Sequence, residues 1–209
     1  MSTITRIGTA LPTWGSAKAR QVGDDEDALT LAVAAGLACL GDDATLHDEV
    51  SSVVLVSRDL PLLEGGNSAA LLGGLGLPDT LLVRETIGGS PAVLDAILTA
   101  ADGTLVIGAD TGRRDGSSAG ASAVLVGSRG APLTSLGRVT RSMPTTSRDA
   151  DGNRADYADP RLLRERGVNE SLARLGNPKV VAVAGIVGKE AAGLCTGTPP
   201  ALLSIGASA

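Results

Sequence analysis

Two thiols, one imidazole and a scatter of carboxylates carry most of the reactive chemistry in this chain of 209 residues. Cys39 and Cys195 stand far apart without metal-ligand spacing, and His47 is the single histidine, so the chain alone is not expected to build a zinc site. Cys39 falls within an apolar helical stretch, where a thiol behaves as a small hydrophobe. Cys195 closes a predicted helix, an end whose dipole raises a thiol pKa. Neither reads as an activated nucleophile. His47 lies in an acidic loop and reads as a surface residue. Tyr157 can donate or abstract a proton, although a lone tyrosine in a polar loop usually packs its ring locally. The run Asp149-Ala150-Asp151-Gly152-Asn153 has the acids of a calcium loop but neither its full spacing nor its closing glutamate.

These side chains need a scaffold, and the hydrophobic pattern supplies one. A strand over 4–11 ends at Pro12, a Gly-rich and basic loop runs to Gly23, and a helix follows. Asp24 or Asp25 is expected to cap that helix, with Glu26 and Asp27 on the positive end of its dipole and Leu29, Val33, Leu37 and Leu40 at helical spacing. The run 53–56 reads as a strand covered on both faces. A helix at 67–75, a strand at 81–84, a helix at 90–101 and strands at 105–107 and 121–126 come next, with an extended segment from Pro132 to Val139. Such alternation implies an α/β sheet layered by helices. Residues 141–159 read as a long exposed loop; a helix over 160–175, a strand over 180–184, a helix near 189–195 and a strand over 201–205 follow. Residues 51–56 and 178–183 resemble one another, each leading into a Gly-containing turn and a helix, as two copies of one α/β unit would.

Composition bounds the function. The chain is 43% hydrophobic, yet it has no Phe, one Trp and one Tyr, so Leu, Val, Ile and Ala must fill the core. Thin helices rich in Ala and Gly can then approach a sheet closely. A formal charge of -5 and the lack of a basic cluster argue against nucleic acid or an anionic membrane as the main partner. Arg161, Arg164 and Arg166 read as a solvated helix face pairing with Glu165 and Asp159. No apolar run approaches the roughly 20 residues a membrane helix needs. The N-terminus lacks a signal-peptide pattern, and a cytoplasmic location is expected.

Several segments, in order, carry a family likeness. They are Ile4-Thr5-Arg6-Ile7-Gly8-Thr9-Ala10-Leu11-Pro12, Asp25-Glu26-Asp27-Ala28-Leu29-Thr30-Leu31-Ala32, Ile107-Gly108-Ala109-Asp110-Thr111, and Gly120-Ala121-Ser122-Ala123-Val124-Leu125-Val126-Gly127. Together they resemble the thiolase superfamily, in particular its branch of 3-hydroxy-3-methylglutaryl-CoA synthase and ketoacyl-carrier-protein synthase. The resemblance implies an α/β fold of layered αβαβα type, with a complete half over 1–140 and an abbreviated half over 141–209 that lacks the terminal strand. It also implies acyl-CoA or acyl-carrier chemistry, in which a cysteine at a helix N-terminus is acylated beside a histidine and an oxyanion site.

Carried onto this sequence, the resemblance puts Ile87 at the nucleophile position, and a shift of one residue offers only Thr86 or Gly88. Gly185 falls where the family has its histidine, and Asp59 is the nearest counterpart of its acid-base glutamate. Ile87, Gly88, Gly89, Gly185 and Gly206 are the residues implied to line the acyl site, with Asp59 and Tyr157 as candidate catalytic groups and no metal. The expected function is a non-catalytic or accessory subunit of an acyl-CoA-processing acyltransferase or thiolase complex in lipid metabolism. Its expected partner is a complete thiolase-fold subunit or a zinc-ribbon, OB-fold protein, in a homo- or hetero-oligomer. The alternative is an acyl-CoA aldolase, lyase or condensing enzyme working without a cysteine nucleophile. A coenzyme A thioester is the candidate ligand in either case, with no cofactor bound covalently; a third reading is a binding or structural protein unrelated to coenzyme A.

Overall fold

A computed structural model describes residues 2–16, 19–62, 66–112, 118–135, 137, 139, 146–148, 153–156, 165–166 and 169–177. A six-stranded mixed sheet organises them. β1 (Ser2–Ala10) pairs antiparallel with β7 (Gly120–Gly127) on one side and β8 (Ala131–Leu133) on the other. β4 (Ser52–Ser57) lies between β5 (Leu82–Ile87) and β6 (Thr104–Asp110), parallel to both, and β6 runs antiparallel to β7. The order across the sheet is β5-β4-β6-β7-β1-β8.

Helices cover both faces. From β4 the chain reaches β5 through α3 (Asn67–Leu75), then returns past β4 to β6 through α4 (Ser90–Thr99). Crossovers of the usual right-handed sense that travel in opposite directions leave their helices on opposite faces. Val53 and Leu55 accordingly join Leu71 and Leu75 of α3 and the inner face of α1 (Ala28–Leu40), while Val54 and Val56 join Val93, Ala96 and Ile97 of α4.

The missing aromatic volume is made up by close approach. A Cβ on Gly8 of β1 would stand 2.2 Å from the Cys39 nitrogen and 2.4 Å from the Ala35 carbonyl oxygen, so α1 rests directly on the strand backbone. A Cβ on Gly36 would meet a Leu75 methyl at 2.4 Å, so that glycine leaves room on α1 for a side chain of α3.

Several expectations need correction. The α1 cap is Asp27, not Asp24 or Asp25: its carboxylate accepts the Thr30 N–H at 2.7 Å, and the Thr30 hydroxyl accepts the Asp27 N–H at 2.8 Å. This reciprocal pair satisfies two amides that the helix itself leaves unpaired. His47 belongs to the short helix α2 (Ala44–Glu49), with its Nε2 3.2 Å from the Gly41 carbonyl, and not to a loop. β5 runs three residues past the expected Arg84, to Ile87, because its parallel pairing with β4 continues to Ser57. β8 stops at Leu133, short of Val139. The loop before Gly23 holds the hairpin β2 (Trp14–Ser16) and β3 (Ala19–Gln21). A second hairpin, β9 (Thr146–Arg148) with β10 (Arg154–Asp156), occupies part of the expected loop over 141–159. Of the helix expected over 160–175, the described residues include α5 (Glu170–Arg174). The elements expected over 180–205, and with them most of the second half, lie outside the described residues.

Candidate functional site

Parallel strands in an open α/β sheet deliver their loops to one end, and ligands gather outside those carboxyl ends. Here that end collects Ser57, Arg58 and Asp59 from β4, Gly88 and Gly89 from β5, and Asp110 and Thr111 from β6. The Gly88 N–H donates to the Ser57 carbonyl at 3.1 Å, which fastens the end of β5 to that of β4.

Two carboxylates cross-link β4 and β6. Asp110 has no exposed surface and accepts from the Arg58 backbone N–H at 2.9 Å and from Arg58 Nε at 2.8 Å. Buried charge is tolerable only when paired and hydrogen-bonded in this way. Asp59 reaches back across the gap: its Oδ2 accepts the Thr111 N–H at 3.0 Å and the Thr111 hydroxyl, and its Oδ1 accepts the Ser57 hydroxyl at 3.1 Å. The Asp59 N–H in turn donates to Ser57 Oγ at 3.1 Å. Arg58 thus turns to Asp110 and not to its chain neighbour Asp59.

A third carboxylate serves the start of α3. Glu85 accepts from the Ser68 hydroxyl at 2.6 Å, the Ser68 N–H at 3.0 Å and Asn67 Nδ2 at 3.0 Å. Burial pushes its carboxyl up, but these bonds from Ser68 and Asn67 outweigh it and hold the group below the ordinary 4.5. Asn67, fully buried, also bonds both the N–H and the carbonyl of Leu62, which shapes the loop after β4.

The turn into α4 is the position at which a thiol would be activated by a helix dipole. It holds Ile87, Gly88, Gly89 and Ser90. Ile87 is 81% exposed and ends β5; Gly89 is the N-cap, in extended conformation and without a side-chain cap; Pro91 sits in the first turn. Cys39 is remote from this turn, fully buried in the α1 face of the core, with Sγ 3.5 Å from the Arg6 carbonyl oxygen. Burial pushes its thiol up, against weaker opposing effects from the Leu125 and Gly8 backbone and the Arg6 charge. His47 precedes β4, so the six residues of that strand, roughly 20 Å, separate it from Asp59.

The structure therefore brings Asp59, Ile87, Gly88 and Gly89 to one end of the sheet, whereas Tyr157, Gly185, Gly206 and Cys195 lie outside the described residues. The Asp110–Arg58 pair, Thr111, Ser57 and the Glu85 cluster were not singled out from sequence. Their signal was polar residues closing buried strands, Ser57-Arg58-Asp59 after Val56 and Asp110-Thr111 after Ala109. Among the described residues, no group of three His, Cys, Asp or Glu side chains could hold a metal, and no helix is long and apolar enough to cross a membrane.

The fold has solved counterparts. PksG, an HMG-CoA synthase from Bacillus subtilis, matches with a TM-score of 0.68 at 17% identity, over 92% of this chain and 60% of its own. A 3-oxoacyl-(acyl-carrier-protein) synthase III matches at 0.55 and 20% identity, over 85% of this chain and 75% of that one. OleA from Xanthomonas campestris matches at 0.52 and 14% identity, over 60% of this chain and 56% of its own. No family model and no curated protein sequence matches the chain. The chain spans little more than half the length of PksG and OleA, and identities this low establish the fold alone. That fold is thiolase-like: an α/β half with helices on both faces of its sheet and the loops of β4, β5 and β6 gathered at one end.

Proposed function

We propose that this chain is a non-catalytic, accessory thiolase-fold subunit, which helps to shape an acyl-thioester site in company with a complete thiolase-fold protein. One observation carries the reading. The turn into α4, where the helix dipole would activate a nucleophile, presents Ile87, Gly88, Gly89 and Ser90, while the described thiol, Cys39, is buried on the other side of the sheet. Isoleucine forms no thioester, and a buried thiol with a raised pKa supplies little thiolate.

The names of the structural neighbours, synthases of HMG-CoA and of 3-oxoacyl-(acyl-carrier-protein), support a thioester of coenzyme A or of a carrier protein as the ligand class. A zinc-ribbon, OB-fold acyl-CoA-binding protein is a further partner of suitable chemistry, and a cytoplasmic location accompanies this reading. A lyase using Asp59 as its base fits less well, because both oxygens of that carboxylate already accept hydrogen bonds from Ser57 and Thr111.

Co-expression with a complete thiolase-fold protein encoded beside it tests the proposal. The two should co-purify, this chain alone should not condense acetyl-CoA with acetoacetyl-CoA, and the pair should. A stable monomer that ignores every such partner, or condensation by the isolated chain, would refute it.

A further inference from the structure

The outer layer of an α/β protein normally meets solvent with charge, because an amphipathic helix turns its polar stripe away from the sheet. α1 and α3 do not. Neither helix contains a charged residue. The outward stripe of α1 is Thr30, Ala34, Leu37 and Ala38, all exposed, with Leu37 at 42%. Ala69, Ala70 and Gly73 are exposed on α3. The two faces are continuous, since a Cβ on Gly74 of α3 would stand 2.7 Å from Val33 of α1. The short helix α2, by contrast, carries His47, Asp48 and Glu49. An uncharged face spanning two outer helices is the kind of surface that marks an interaction site.

Charge decides what covers it. Exposed Asp24 and Asp25 precede α1, exposed Asp42 and Asp43 follow it, and exposed Asp79 follows α3. Arg6, beside Gly41, offsets only part of this. A second copy would set these acidic ends against its own, and an anionic lipid surface would meet the same repulsion. A protein with an apolar strip bordered by lysine or arginine meets opposite charge at both ends and small side chains between. Those side chains admit a partner helix at the near end of the roughly 8–10 Å interaxial range.

We infer that the joint outer face of α1 and α3 is a docking surface for a different protein, one that presents an apolar helical strip bordered by basic residues. The inference is independent of the pairing proposed above, since it uses neither the α4 turn nor any acyl ligand.

The probe is a fluorescein-labelled amphipathic peptide helix with a Leu and Ala stripe bordered by lysines, compared by anisotropy with the same peptide bordered by glutamates. The full chain should bind the first and not the second, and more weakly as salt rises and screening shortens. Ala34→Glu and Ala38→Glu should each weaken binding by about tenfold or more, because an unpaired charge is then buried under the peptide. Ala101→Glu, at an exposed position after α4, should leave binding unchanged. The sign is diagnostic: added acid would strengthen a merely electrostatic attraction to lysine. Should Ala34→Glu fail to fold by circular dichroism, Ala38→Glu decides. Binding that is unchanged or stronger in the folded variants overturns the inference, as does failure of the lysine peptide to bind. Self-association or binding to phosphatidylglycerol vesicles that Ala34→Glu abolishes would assign the face elsewhere and overturn it as well.

Discussion

At the scale of single residues, the two groups with shifted pKa values make opposite predictions. Cys39 has its thiol raised above the ordinary 9.0 by burial, so its contribution to stability is intact below that pH and is lost as pH rises through the folded value. Iodoacetamide at pH 8 should spare Cys39 in the folded chain and label it in guanidinium, as peptide mapping reads separately from Cys195. Glu85 has its carboxyl held below 4.5, so its contribution is present above that pH and disappears as pH falls through the folded value. Glu85→Gln should therefore cost about 1 kcal/mol at neutral pH, below the roughly 1.5–3 kcal/mol of hydrogen bonds to a buried charged group, because solvent screens this half-exposed carboxylate and the amide still accepts. That difference should shrink below pH 4.5 when urea midpoints are compared. Sequence made Cys39 legible, because a thiol among Leu and Ala at helical spacing is a core residue. It did not make Glu85 legible, because only tertiary folding brings β5 beside the start of α3. The cap of α1 was misplaced for a local reason: four consecutive acids precede the helix, and only Asp27 has Thr30 three residues on to complete the reciprocal bonds.

At the scale of elements, a core without phenylalanine holds together by backbone proximity, and glycines mark where. Gly8→Ala would drive a methyl group into the Cys39 nitrogen and the Ala35 carbonyl, backbone atoms that cannot rotate away. It should destabilise the protein by about 3 kcal/mol or more, at the top of the overpacking range, as a lowered urea midpoint. Gly73→Ala, in α3 with nothing within 4 Å of the added methyl, should act oppositely and stabilise by up to about 1 kcal/mol. Most elements of the first half were readable, since β4, β6 and β7 are short apolar runs and α3 is bounded by glycines. The end of β5 was not. Its exposed Leu82 and Ile87 and its polar Arg84, Glu85 and Thr86 give an edge strand no buried periodicity, so only pairing with β4 reveals its length.

At the scale of the whole molecule, a thiolase-like fold carries polar clasps between β4 and β6 at the same sheet end as the turn into α4. Asp110 with Arg58 and Asp59 with Thr111 bind the ends of β4 and β6 together, and the α4 turn offers no thiol. The layered fold could be read from strand and helix alternation together with the family-like segments. The clasps could not, because each joins residues about fifty positions apart. The most direct measurement of the central claim is the intact mass of the folded chain after incubation with acetyl-CoA and then with acetoacetyl-CoA. A non-catalytic subunit keeps its unmodified mass under both. A stoichiometric acyl adduct that coenzyme A alone does not produce, whether on Cys39, on Cys195 or on a hydroxyl such as that of Ser90, would contradict it.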